Sequence, residues 1–153
     1  MTTPPEFPQE QPIQTPSSLA SWGTRALGLL VDYLPILILG ALAAFSVVLR
    51  YLLGVISFAY FYFYLGYLDG TTGQTPGKRL LGTRVVNQQG NLIGAGAGIG
   101  RKFAHIVDSI ICLIGWFLPL FDEKRQTIAD KMLDTYVVEG VEKKTFGVDL
   151  YMP

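Results

Sequence analysis

Three long stretches of this chain are almost free of charge, and that limits its folds more than any other feature. Residues 26–49 carry one charged side chain, Asp32, and residues 51–68 carry none. Residues 103–121 hold only Asp108 and His105 as ionisable groups. A helix crosses the hydrocarbon core with roughly 20 apolar residues, so each block is long enough. A soluble domain would not gather its apolar residues into three such runs. Charged residues make up 16% of the chain, against about 25% in soluble domains. The first two blocks are separated only by Arg50, with a turn somewhere in residues 46–50, so they are predicted to form an antiparallel hairpin. The expected fold is an all-α membrane protein with three hydrophobic helical segments.

Charge and rare residues exclude several function classes. Twelve basic and twelve acidic side chains cancel, leaving no basic face for nucleic acid. One cysteine excludes an internal disulfide, a CxxC redox pair and a multi-cysteine zinc site. One histidine excludes a metal or haem site needing several imidazoles from this chain, and offers no triad of assignable geometry. Gly94-Ala-Gly-Ala-Gly-Ile-Gly100 lacks the spacing of a phosphate-binding loop and suits close helix packing instead. No metal, cofactor or catalytic group is expected. His105, one turn before Asp108, reads first as a core or interfacial histidine and second as a proton relay. Cys112 reads as a small packing residue.

The chain divides into a proline-rich tail (residues 1–20), a membrane domain (21–138) and a polar C-terminal tail (139–153). The first tail carries Pro4, Pro5, Pro8, Pro12 and Pro16 and has no apolar core, so it is expected to be extended, or a strap lying on a partner, rather than a signal peptide. Residues 69–102 carry Lys78, Arg79, Arg84, Arg101 and Lys102 against one acid, Asp69, which predicts a cytoplasmic loop and a cytoplasmic N-terminus. The expected setting is a multi-pass protein of the cell membrane. Trp22, Tyr60, Tyr62, Tyr64 and Tyr67 read as an aromatic belt that anchors or packs the helices; a quinone, lipid or protein surface is the alternative.

Two internal matches point to a duplication. Arg25-Ala-Leu-Gly-Leu-Leu-Val-Asp32 and Arg101-Lys-Phe-Ala-His-Ile-Val-Asp108 share an Arg-x6-Asp pattern at the head of an apolar block. Seven residues place Arg and Asp on one helix face, two turns apart. Gln74-Thr-Pro-Gly-Lys-Arg-Leu-Leu-Gly-Thr-Arg-Val-Val86 aligns without a gap on Gln126-Thr-Ile-Ala-Asp-Lys-Met-Leu-Asp-Thr-Tyr-Val-Val138, with six of thirteen positions identical. Each copy suits a short interfacial helix followed by a short strand. Val85–Val86 could turn back at Gln89-Gly90-Asn91 or pair with Val137–Val138. The third block either crosses once, putting the copies on opposite sides, or is re-entrant; a single crossing is the preferred path. An acid in a bilayer needs a partner or a function, at a cost of at least ~2.5 kcal/mol. The simplest arrangement is crosswise, Asp32 with Arg101 and Asp108 with Arg25. The alternative uses Asp32 and Asp108 as ion and proton carriers.

These residues resemble the RDD family, membrane proteins named for one arginine and two aspartates. Arg25 and Asp32 match its first two positions; Asp108 is the natural third, with Asp130 its rival in the stretch Gln126, Thr127, Asp130, Lys131, Thr135. Gly73, Thr75, Gly77, Lys78, Gly82 and Arg84 match its loop motif. The resemblance covers about residues 21–138. It implies limited function: some relatives are associated with cation/proton antiport, and others are parts of larger membrane assemblies. The expected role is non-catalytic, a small accessory or assembly subunit of a bacterial membrane complex, respiratory or otherwise energy-transducing. It would touch lipids and other subunits through residues 1–20 and the interfacial segments. Antiport through Asp32 and Asp108 is the second reading, and binding of a lipid or quinone the third.

Overall fold

The computed structural model describes residues 19–111 and 114–153, so the readings of the proline-rich tail and of Cys112 lie outside it. Helix α1 (Trp22–Leu42) begins at Ser21, whose hydroxyl accepts from the Thr24 N–H at 3.1 Å and so satisfies one free donor of the first turn. Inside α1, Pro35 has no N–H to offer the Val31 carbonyl. In hydrocarbon such an orphan costs several kcal/mol. The Tyr151 hydroxyl, from a 3-10 turn at Val148–Tyr151, donates to that carbonyl at 3.1 Å. Residues after the last strand are therefore tied down. Leu150 is buried, and Arg79 donates to the carbonyls of Leu150 and Met152. Tyr151→Phe is expected to lower stability by about 1–3 kcal/mol in a detergent thermal melt, the cost of leaving a buried acceptor unsatisfied; an unmoved midpoint would mean that Val31 finds another donor.

The chain reverses over Ala43–Phe45, ahead of the predicted turn, so Arg50 lies inside the next helix. That helix runs as α2 (Val47–Phe58), a π-helical segment (Ala59–Tyr64) and α3 (Leu65–Thr71). The stretches Trp22–Phe45 and Val47–Thr71 are each long and apolar enough to cross a membrane. Their outer faces fit that role, since Leu30, Leu37, Val48 and Val55 are each more than 60% exposed. The two stretches pack through Phe61, which lies 4.9 Å from Tyr33 between ring centroids and joins Leu65 and Leu68 in a buried cluster.

Two copies of one unit follow from the rest of the chain. The short helix α4 (Pro76–Leu81) packs on α1 and leads into β1 (Thr83–Asn87). Helix α5 (Ala95–Ile110) and the single turn α6 (Ile114–Phe117) precede α7 (Ile128–Met132), which packs on α5 and leads into β2 (Thr135–Glu139). Each thirteen-residue motif thus docks on the arginine–aspartate helix of its own copy. Both short helices turn one side inward, burying Pro76, Gly77 and Arg79 in α4 and Ala129 and Asp130 in α7.

Strands β1 and β2 pair antiparallel, with Val85 opposite Val137, Thr83 opposite Glu139 and Asn87 opposite Thr135. Val85 and Val137 occupy the same place in the two repeats, so the ribbon has a local two-fold axis through that pair. Of the partners open to Val85–Val86, the distant copy is the one used. The chain leading into α1 adds an isolated bridge from Leu19 to Val138, and Ala20 completes a buried cluster with Val85 and Val137. Paired strands lie on one side of a membrane, so the third block enters and leaves on the same side. Its two parts, Ala95–Ile110 and Ile114–Leu120, meet at a bend of 107°. This pairing fits the re-entrant path rather than the preferred single crossing, because the ribbon joins the segments that flank the block.

Both short helices end in a left-handed residue, Gly82 at φ +67° and its equivalent Asp134 at φ +50°. Glycine takes this conformation without steric cost, whereas a side chain there is strained. Asp134→Gly is expected to raise stability by about 0.5–1 kcal/mol. A fall in the unfolding midpoint would show that the exposed Gln88–Asp134 hydrogen bond at 3.0 Å matters more.

Candidate functional site

The two copies meet at a buried cluster of charges. Asp130 opens α7, where its carboxylate and the Thr127 hydroxyl cap each other's main chain. The same carboxylate accepts from both repeat arginines, from Arg101 Nε at 2.8 Å and from Arg25 Nη2. Thr135 adds a hydrogen bond at 3.2 Å. Burial acts to raise the Asp130 pKa, but the two guanidinium groups outweigh it and hold the carboxyl well below its usual range. Asp69, at the end of α3, is the second centre. Lys78 Nζ lies 2.7 Å away, Arg101 Nη1 3.1 Å and Lys102 Nζ 3.6 Å. Burial draws Lys78 down to about 8 against the pull of Asp69. Arg101 bridges the two centres and is itself buried.

The two repeat aspartates are compensated in another way. Asp32 Oδ1 accepts from the Gly77 N–H at 2.6 Å, at the start of α4. Asp108 accepts from the N–H groups of Ile128 at 2.9 Å and Ala129 at 3.4 Å, at the start of α7. Gly77 and Ala129 are equivalent in the repeat, so each aspartate joins its helix to the motif of its own copy. Asp108 also lies 2.7 Å from His105 Nδ1, and His105 stacks on Trp116 at 4.8 Å. The expected crosswise pairs, Asp32 with Arg101 and Asp108 with Arg25, are not formed. The physical reason is that the first N–H groups of a helix have no intrahelical acceptor, and a buried carboxylate satisfies them.

The loop-motif residues have mainly architectural places. Thr75 caps α4. Gly77 lies so close to α1 that a Cβ there would collide with the Gly28 carbonyl. Gly73 and Gly82 have positive φ, and Arg84 is paired with Val138 in the ribbon. The two copies repeat one further bond: Gln74 donates to the Thr83 carbonyl and Gln126 to the Thr135 carbonyl, both at 2.9 Å. Lys131 pairs instead with Asp122. Most of the aromatic residues pack on neighbouring rings. Tyr67 is half exposed, but Tyr62 stacks on Phe103 at 4.8 Å, Tyr64 donates to the Tyr151 carbonyl, and Tyr60 stacks on Tyr64 at 5.7 Å. Trp22 donates to the Trp116 carbonyl at 2.9 Å and stacks on Phe117. Asp69 is the centre that sequence reasoning left out. Its signal was present, since it is the one acid in a loop with five bases.

Between α1 and α5 the cluster borders a cavity of about 390 Å³, lined by both helices, by Phe61 and by the turn after α6. Two helices long and apolar enough to cross a membrane, a bent third apolar block and a buried charge cluster beside a two-stranded ribbon define a helical membrane protein built from a duplicated unit. The chain matches the RDD family over residues 19–134 and belongs to it. It is 43% identical over 90 residues to the proline-rich antigen homolog of Mycobacterium tuberculosis (strain ATCC 25618 / H37Rv), covering 58% of this chain and 38% of that one. It is 44% identical over 78 residues to the proline-rich antigen of Mycobacterium leprae (strain TN), covering 50% and 31%. It is also 46% identical over 63 residues to YxaI of Bacillus subtilis (strain 168), covering 40% and 42%. The match thus spans less than half the length of these relatives. No solved structure matches the chain.

Proposed function

We propose that this chain is a non-catalytic accessory or assembly subunit of a larger bacterial membrane complex, in the energy-transducing cell membrane. The observation that carries this reading is the use of Asp32 and Asp108. Both carboxylates hold the main chain of a short helix, at 2.6 Å from the Gly77 N–H and 2.9 Å from the Ile128 N–H. Moving them to carry an ion would detach α4 from α1 and α7 from α5. The charges then serve the fold, and the broad apolar faces and the proline-rich tail serve neighbours. The basic loop supports a cytoplasmic side for the ribbon and the N-terminus in this reading.

Affinity purification at native expression in mild detergent tests this. Stoichiometric partners that disappear when residues 1–20 are deleted support it; a free monomer overturns it. One observation favours a second reading, cation/proton antiport: Asp32 lines the cavity between the repeats. In that case, purified protein in liposomes collapses a pH gradient on addition of Na⁺ or K⁺, and Asp32→Asn abolishes the exchange. No gradient collapse by wild-type protein removes the antiport reading.

A further inference from the structure

The cavity between the repeats has a chemistry that neither reading uses. Its ionised lining is mostly positive: Arg25, Lys78, Arg101 and Lys102 face it, with Asp32 as the one carboxylate. Asp69 and Asp130 are fully buried behind these cations. The Lys102 residue is 4% exposed, and its ammonium forms no side-chain hydrogen bond among the described residues. It lies 3.6 Å from Asp69 Oδ2 and 5.0 Å from the centroid of the Phe61 ring. An ammonium that faces a cavity keeps donors free for an acceptor that enters it. The remaining walls are apolar and aromatic, including Trp22, Leu29, Tyr33, Trp116 and Phe117. The helices on either side present apolar outer faces, with Leu27 and Leu30 on α1 and Ile106 and Ile110 on α5 exposed. A cationic floor beneath aromatic walls, within a membrane domain, matches an amphiphile with an anionic head. At about 390 Å³ the space is at the lower end of the range for small-molecule sites, enough for a headgroup and the first part of its chains.

We propose that this cavity binds the phosphate headgroup of an anionic membrane lipid, with Lys102 and Arg25 as its main cationic contacts. The site is separate from the tyrosine-rich helix considered for lipid or quinone binding, and it does not depend on partners or ion transport. A lipid held between α1 and α5 fills the space that separates these two helices.

The chain contains two tryptophans, Trp22 and Trp116, and both line the cavity, so intrinsic fluorescence reports on it directly. Purified full-length protein in a neutral detergent is titrated with dioctanoyl phosphatidylglycerol, phosphatidylethanolamine and phosphatidylcholine, and with inorganic phosphate. The expected result is a saturable emission change with phosphatidylglycerol at least about tenfold tighter than with either zwitterionic lipid. Lys102→Gln is expected to weaken phosphatidylglycerol binding about tenfold and leave the circular dichroism spectrum unchanged, because Lys78 and Arg101 still hold Asp69. Equal affinity for the three lipids overturns the proposal, as does an unchanged affinity in Lys102→Gln. Saturation by inorganic phosphate at the same affinity assigns the site to a free anion and overturns the lipid. If Lys102→Gln does not fold, native mass spectrometry of the wild-type protein decides. A retained phosphatidylglycerol-class lipid, displaced by the dioctanoyl form, supports the proposal, and bare protein overturns it.

Discussion

Asp130→Ala is expected to destabilise the folded chain by about 3–5 kcal/mol, the range found when one partner of a buried ion pair is removed. Arg25 and Arg101 both donate to this carboxylate, so the variant leaves two guanidinium groups facing each other without their shared anion. Asp130→Asn keeps the shape and the cap on α7 but not the charge, and is expected to recover only part of the loss. The pH dependence has a definite sign. A carboxyl whose folded pKa lies below its ordinary 3.8 stabilises the fold above that value and loses this contribution as pH falls toward the depressed one. Wild-type stability in detergent should therefore drop below about pH 4, whereas Asp130→Ala should show a shallower decline in the same window. Equal acid sensitivity in the two proteins would remove Asp130 from the centre of the cluster.

Gly77→Val is the other change with a large expected effect, acting through volume rather than charge. The first added carbon would collide with the Gly28 carbonyl, so α4 must move away from α1. Movement also breaks the Asp32 to Gly77 hydrogen bond, leaving a buried carboxylate without its main-chain donor. Overpacking and the lost bond together are expected to cost about 3–5 kcal/mol. The equivalent position in the second copy is Ala129, which already carries a Cβ and is fully buried. Ala129→Gly is thus a control, with an expected loss of about 1 kcal/mol from helix propensity. The midpoint of thermal unfolding and the monodisperse fraction on size exclusion read both variants. A wild-type midpoint in Gly77→Val would show that α1 and α4 can separate freely.

The apolar hairpin was legible because period and length alone specify a crossing helix. The duplication was legible because Gln126 to Val138 keeps the residues that cap, bond and pair in Gln74 to Val86. The partners of the charges were not. Sequence spacing places Arg25 and Asp32 on one face, but it carries no information about the free N–H groups at the starts of α4 and α7, which win both aspartates. Asp69 was hidden for a similar reason: it closes a helix that otherwise reads as purely apolar, and the three cations it gathers come from residues 78, 101 and 102. The path of the third block was decided at a distance, by the pairing of Val85 with Val137, which no local pattern in residues 103–121 encodes.

That pairing has a historical consequence. A strand that meets its own duplicate antiparallel, centred on the same residue, needs no change of register to do so. A half-length ancestor carrying one copy would already have possessed a self-complementary edge, and two such molecules could join as a symmetric pair before any gene fusion. On this view the present chain is a homodimer made permanent. The matching positions Lys78 and Asp130 now carry opposite charges and serve different centres, Lys78 pairing with Asp69 and Asp130 with Arg25 and Arg101.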